Sequence, residues 1–239
     1  MKTVMKFVIF DVQADLAQFK KPFTTMSPQT FGFPTGTALV GMIAAIVGLD
    51  KTEYWKYFPK DSYTLGVGVK KPVKKVVIPM NTLKTTLSKH FSRFDEHKRT
   101  TMEFIKDAEF RIWLSWEEKE RFQQLVEYLK NHQTYYTLSL GLAWNLANYS
   151  YVGNFEGEKK IGRGELLEFQ SVIRKDFVEE IDFEGRKIFT NRIPVRMKSD
   201  NSREVEQYSE YLFESDGNRI CARVKEYIEL QNGDRIVPL

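Results

Sequence analysis

"KKPFTTMSPQTFGFPTGTALVGMIAAIVGL", residues 20–49, sets a segment dense in hydroxyls, Gly and Pro directly before the most apolar run of the chain. That run has a helical period. Leu39, Met42, Ile43 and Ile46 recur at i, i+3, i+4 and i+7, and Thr35 or Thr37 stands where an N-cap belongs, so the spacing predicts a helix to about Gly48. Ala38, Gly41, Ala45 and Gly48 make a neighbouring stripe of small residues. An interior helical glycine costs roughly 1 kcal/mol relative to Ala, so Gly41 predicts a partner packed too closely for a side chain. Upstream, residues 3–12 ("TVMKFVIFDV") are β-branched and aromatic and read as a buried strand, leaving 13–34 as an irregular polar loop.

Further along, "SYTLGVGVKK" (62–71) predicts a second strand, "KKVVIPM" (74–80) a short extended arm, and "AEFRIWLSW" (108–116) a third strand. Residues 81–103 carry no sustained period and read as a projecting loop or hairpin. A second helix follows, with Ser115 and Glu118 at capping-box spacing and Phe122, Leu125, Val126 and Leu129 on one face. "YYTLSL" (135–140) reads as the closing strand. The order is β-α-β-β-α-β with an insertion, a ferredoxin-like α+β arrangement that does not by itself decide function. Beyond 149, short β-prone pieces alternate with Glu184-Gly185, Asp216-Gly217 and Asn232-Gly233, which predict hairpins. The expected division is therefore a domain over 1–149, with the insertion at about 81–103, and a β-rich subdomain over 150–239.

Composition narrows the chemistry. The chain has 239 residues and one cysteine, Cys221, which reads as a small packing residue in a reducing compartment. Residues 38–49 are too short for the roughly 20 residues of a membrane span, and residues 1–10 lack a signal-peptide pattern, so a cytoplasmic protein without membrane contact is expected. "FGFPTGT" lacks the Gly-Lys-Ser/Thr ending of a phosphate-binding Walker loop. His90, His97 and His132 fall in no metal-ligand pattern and no nucleophile elbow is present, so no cofactor, metal or catalytic residue is expected.

Anion binding remains. The net charge is only +4, but residues 70–106 carry ten Lys or Arg against three acids. A solvated face is the ordinary reading of such a run, and a footprint for a polyanion is the sharper one. In the opening stretch, Lys20, Lys21, Thr24, Thr25, Ser27, Gln29, Thr30, Thr35 and Thr37 supply donors around a helix N-terminus, where unpaired N–H groups and a partial positive charge suit phosphate. Gly32 and Gly36 would let backbone approach backbone, and Pro34 would stiffen the entry. Ordinary capping and turn formation explains the same residues.

Residues 19–49 resemble the N-terminal signature of the fifth CRISPR-associated protein family, whose Pro-Thr-x-x-Ala-x-x-Gly helix is matched by Pro34, Thr35, Ala38 and Gly41. "RTTMEFIKDAEFRIWL" (99–114) is similar to the family's entry into its third strand, and "YTLSLGLAWNLANY" (136–149) to its strand-Leu-Gly-helix element. The likeness spans about 4–150 and looks most like the type I-B branch.

The resemblance implies a RAMP-superfamily, RRM-like core that caps the 5′ handle of crRNA in Cascade, plus a basic thumb at the handle–guide junction. Residues 81–103 would be that thumb, with Lys84, Lys89, His90, Arg93, Lys98 and Arg99 on the RNA and Phe91 or Phe94 stacking on a base or anchoring the loop. The implied partners are the handle, target DNA indirectly through the guide, the repeated backbone subunit and the large PAM-reading subunit. A type I-C branch is itself a metal-independent ribonuclease using Tyr, Lys and His, which makes Lys89-His90 an alternative catalytic pair. Its tyrosine would fall at Val47 here, so a non-catalytic binder is the leading expectation, with Tyr54, Tyr57 or Tyr63 as the substitutes the alternative needs.

Overall fold

Six consecutive buried strand residues, 7–12, decide where the centre of the molecule lies. In β1 (Val4–Ala17), Val8, Phe10 and Val12 face one way and Phe7 and Ile9 the other, and all five are fully buried. A strand covered on both faces reads as an unbroken apolar run, which is why "FVIF" does not alternate. The computed structural model describes residues 4–24, 26–84, 87–88, 92, 96–198 and 204–239.

The elements that follow are α1 (Gly36–Val47), a short 3₁₀ turn (Tyr54–Tyr57), β2 (Tyr63–Val69), β3 (Lys74–Leu83), β4 (His97–Trp116), α2 (Lys119–Lys130) and β5 (Asn148–Ile161). β1 pairs antiparallel with β4 (Val8 opposite Leu114, Phe10 opposite Ile112) and with β5 (Phe7 opposite Phe155), and β2 pairs with the far side of β4. The strand order is thus β5-β1-β4-β2. Both helices lie on one face. Leu39, Ile43 and Ile46 of α1 and Leu125 and Leu129 of α2 join Val8, Phe10, Ile112 and Leu114 in one buried cluster, each large side chain contributing roughly 1.5–3 kcal/mol by leaving water.

The chain then adds β6 (Leu167–Phe169), β7 (Ile173–Arg174), β8 (Val178–Asp182), β9 (Ile188–Met197), β10 (Val205–Glu214), β11 (Ile220–Val224), β12 (Glu226–Leu230) and β13 (Arg235–Ile236). β12 and β13 extend the main sheet beyond β5, covering Phe7, Ile9 and Trp113 with Ile228, Leu230 and Ile236. Two three-stranded sheets, β7-β10-β9 and β6-β11-β8, complete the fold. The expected division at residue 149 falls inside β5, which serves the main sheet.

Several expectations are corrected. Residues 135–140 form no strand: Tyr135 and Tyr136 donate their N–H groups to the Ile46 and Ala45 carbonyls at the end of α1, so their backbone finishes a helix instead of a sheet. The neighbour of β1 is β5. Ser115 lies in β4 opposite Thr64, and α2 starts after Glu118 with no side-chain cap, so the capping box does not form. A Cβ on Gly41 would meet nothing within 4 Å, so no close partner explains it. Of the three expected hairpin turns, only Asn232-Gly233 joins paired neighbours, β12 and β13; β8 pairs with β11 and β10 with β9. The extended arm at 74–80 and the hairpin alternative for 81–103 do hold, as one element: β3 and the first half of β4 pair continuously from Lys74 opposite Lys106 to Leu83 opposite His97. Where that hairpin leaves the sheet, Asp107 takes a left-handed φ of 53°, and the alternation slips so that Ile105 and Ala108 both reach the helix-side core.

Candidate nucleic-acid interface

The loop after β1 is wired inward. Lys20 and Thr30 form a bridge, Lys21 N–H donates to the Gln29 carbonyl at 2.9 Å, and the Thr24 hydroxyl donates to the Lys21 carbonyl while accepting from Gln29 N–H. Thr30 is fully buried: its hydroxyl accepts from Phe19 N–H (2.9 Å) and donates to the Phe31 carbonyl. The loop is then fastened to the β3–β4 hairpin. Glu103 Oε1 accepts from Thr30 N–H (3.0 Å) and Lys75 Nζ (2.9 Å), and Glu103 N–H donates to the Pro28 carbonyl, replacing β1 along that edge of β4.

The start of α1 is covered as well. Thr35 is the N-cap, its hydroxyl accepting from Ala38 N–H at 3.2 Å and sharing a hydrogen bond with Thr37. A Cβ on Gly36 would stand 2.7 Å from the Val195 carbonyl oxygen, and Gly32 N–H donates to Asn191 Oδ1, so β9 lies directly against this terminus. Gly36 does let backbone approach backbone, as expected. The approaching backbone is the protein's own, which corrects the expectation of an open phosphate site at this helix end. Thr30 and Thr35 serve the fold; Lys20, Ser27 and Gln29 are exposed, and Lys21 and Thr37 half-buried. Thr25 lies outside the described residues. Burial and the neighbouring Lys75 hold the Lys21 ammonium below the usual lysine range, with Glu103 opposing them.

The hairpin presents most of the remaining charge. Lys74, Lys98, Arg99 and Lys106 are exposed, and among the described residues Lys20, Lys74, Arg99 and Lys106 have no acidic partner. Lys84 is paired with Glu96 at 2.6 Å, and Lys98 Nζ lies 3.7 Å from Met26 Sδ. Lys89, His90, Phe91, Arg93 and Phe94 lie outside the described residues. The cations just before the hairpin have another task. Lys70 and Arg111 converge on Asp11, with Arg111 bidentate at 2.8 and 3.0 Å, while Lys70 and Lys71 both hold Glu109. Burial alone would raise the Asp11 carboxyl, but the hydrogen bonds from Arg111 and Lys70 outweigh it and the net shift is downward. Lys70 and Lys71 therefore belong to a framework network.

Val47 is buried in the core, and the tyrosines that the ribonuclease alternative would need cluster elsewhere. Tyr54 and Tyr63 line a cleft of about 170 Å³ under β9, where burial pushes the Tyr63 phenol up against the opposing charge of Arg196. The sequence reading missed the β9–β10 hairpin, which brings Arg192 and Tyr208 beside Lys21 and Phe23. The only sequence signal was an exposed-looking aromatic in "KKPF"; the pairing of that stretch with residues about 170 positions away is a matter of tertiary structure.

A family model described as CRISPR-associated protein (Cas_Cas5) matches residues 7–206. No curated protein matches the sequence. Among solved structures, a chain of a CRISPR RNA-guided surveillance complex is 12% identical with a TM-score of 0.54, covering 90% of this chain and 91% of that one. A CRISPR protein from Archaeoglobus fulgidus is 13% identical, TM-score 0.52, covering 99% of both. A chain from the type III-B Cmr-beta complex bound to cognate target RNA and AMPPnP is 8% identical, TM-score 0.50, covering 91% and 86%. At these identities the likeness is one of fold.

Proposed function

The chain belongs to the CRISPR-associated protein family Cas_Cas5, found in CRISPR surveillance complexes, and on that premise we propose that it is a non-catalytic crRNA-binding subunit of a type I interference complex. In this reading the β1-α1-β2-β4-α2-β5 core is the ferredoxin-like unit, the β3–β4 hairpin is the thumb, and the ligand is the 5′ handle of the guide. The observation that carries it is the hairpin's set of exposed cations without an acidic partner among the described residues, Lys74, Arg99 and Lys106, fastened through Glu103 to the loop that carries Lys20 and Lys21. Each exposed ammonium or guanidinium is free of a competing carboxylate among the described residues, and such cations can displace counterions from a phosphate chain. The type I-B branch, a cytoplasmic location, and contact with the repeated backbone subunit and the large PAM-reading subunit belong to the same reading.

The test is direct. Labelled repeat RNA incubated with the purified chain in EDTA should be bound and left intact, with log K falling by about 0.7 per phosphate contact against log salt. Cleavage that persists in EDTA and is lost in His90→Ala would replace this reading with the ribonuclease one. Absence of salt-dependent binding would remove both.

A further inference from the structure

Between loop residues 21–23 and the β9–β10 hairpin runs an open groove of about 390 Å³. Its floor includes Phe31, which is buried, and Asn191, whose amide is committed to Gly32 N–H and the Thr190 carbonyl. Its rims carry two aromatic rings that hold up no core: Phe23 is 74% exposed and Tyr208 41%. The Arg192 guanidinium sits 5.6 Å from the centre of the Tyr208 ring, and Lys21 closes the other side. A floor of Phe31 and an already hydrogen-bonded Asn191, two exposed rings and two flanking cations match the parts of one nucleotide: a flat π-face to stack and a phosphate to neutralise. An apolar peptide would have no use for the cations, and a bare phosphate none for the rings.

Resting on the RNA-binding reading above, we propose that this groove holds a single unstacked nucleobase of the bound RNA, its ring against Phe23 or Tyr208 and its phosphate between Lys21 and Arg192. Stacking tolerates any base, so the slot fixes a position along the strand and leaves base identity open.

The experiment uses the full chain and repeat RNAs carrying one abasic site at each handle position in turn. One position should weaken binding by about tenfold in the native protein, and that penalty should vanish in Phe23→Ala/Tyr208→Ala. The same position labelled with 2-aminopurine should be quenched on binding by the native protein and not by the variant. Both rings are exposed, so the variant should keep its melting temperature, and having lost no cation it should keep the salt slope. If every abasic position acts equally on both proteins while that slope persists, the slot is overturned and RNA binding stands. If intact RNA does not bind, the slot falls together with the reading beneath it.

Discussion

The loop at 18–36 and the β3–β4 hairpin both carry several threonines together with lysines, yet they use these polar groups differently. In the loop the hydroxyls of Thr24, Thr30 and Thr35 close turns, satisfy buried N–H groups and cap a helix, all within the protein. On the hairpin, β3–β4 pairing engages the facing backbone groups, and Lys74, Arg99 and Lys106 stand exposed with no acidic partner among the described residues. A backbone N–H that is buried must find an acceptor, and a short hydroxyl brought beside it by the turn supplies one, three residues away for Thr35 and eleven for Thr30. A long cation on a paired strand carries no such obligation. Composition treats the two segments alike; the difference lies in which groups the fold had to satisfy.

The largest effects should fall where the loop rests on its foundation. Gly141 has φ +95°, and a Cβ there would come within 1.7 Å of the Gln18 carbonyl oxygen, at the root of the loop. Gly141→Ala should therefore cost about 3 kcal/mol in urea unfolding, combining backbone strain with displacement of Gln18. Asp11→Ala should cost somewhat less, about 1.5–3 kcal/mol, because it leaves the partly buried Arg111 without its bidentate carboxylate while Lys70 keeps Glu109. That network also sets an acid limit. The Asp11 and Glu109 carboxyls are both lowered on folding, their cationic partners outweighing burial, so the stability they contribute is complete above the ordinary carboxylate range. It should be lost as pH falls below about 4, and a urea titration should show this acid limb shrinking in Asp11→Ala. Next in size is Thr30→Val, which keeps the shape and removes the acceptor for Phe19 N–H. A loss of about 1–3 kcal/mol with an unchanged salt slope for RNA would place Thr30 wholly on the structural side of the comparison.

Much of this architecture can be read from the residues. β2 and α1, capped by Thr35 of the two threonines expected, lie where periodicity puts them, and β1 starts there but runs five residues past the expected end at 12, to Ala17, because β4 supplies partners as far as Ile105. The closing strand was misplaced for a tertiary reason: "YYTLSL" has strand propensity, but its first two N–H groups are spent on α1, while Asn148–Ile161 with two glycines has the free edges to join β1. The same limit governs the site. The cations of the hairpin were visible as a charge run, whereas the covering of the α1 terminus by Val195 and the meeting of Phe23 with Tyr208 depend on β9 and β10, far away in sequence.

The finest division is between two exposed cations of one charge run, Lys71 at the base of the hairpin and Arg99 opposite Asn81 far along it. Lys71 and Arg99 are both exposed, but Lys71 Nζ lies 2.8 Å from Glu109, whereas Arg99 has no acidic partner among the described residues. A lysine already neutralised by a carboxylate releases no counterion when a phosphate arrives, because the phosphate would have to displace Glu109 first. Arg99 bears no such competitor. Arg99→Ala should lower the slope of log K against log salt by about 0.7 while changing stability by less than about 0.5 kcal/mol, and Lys71→Ala should leave the slope where it was. Equal slopes for the two variants would mean that RNA reads the whole charge run without regard to pairing. The contrast between wired and free groups would then hold for the hydroxyls of the loop and fail for the charges of the hairpin.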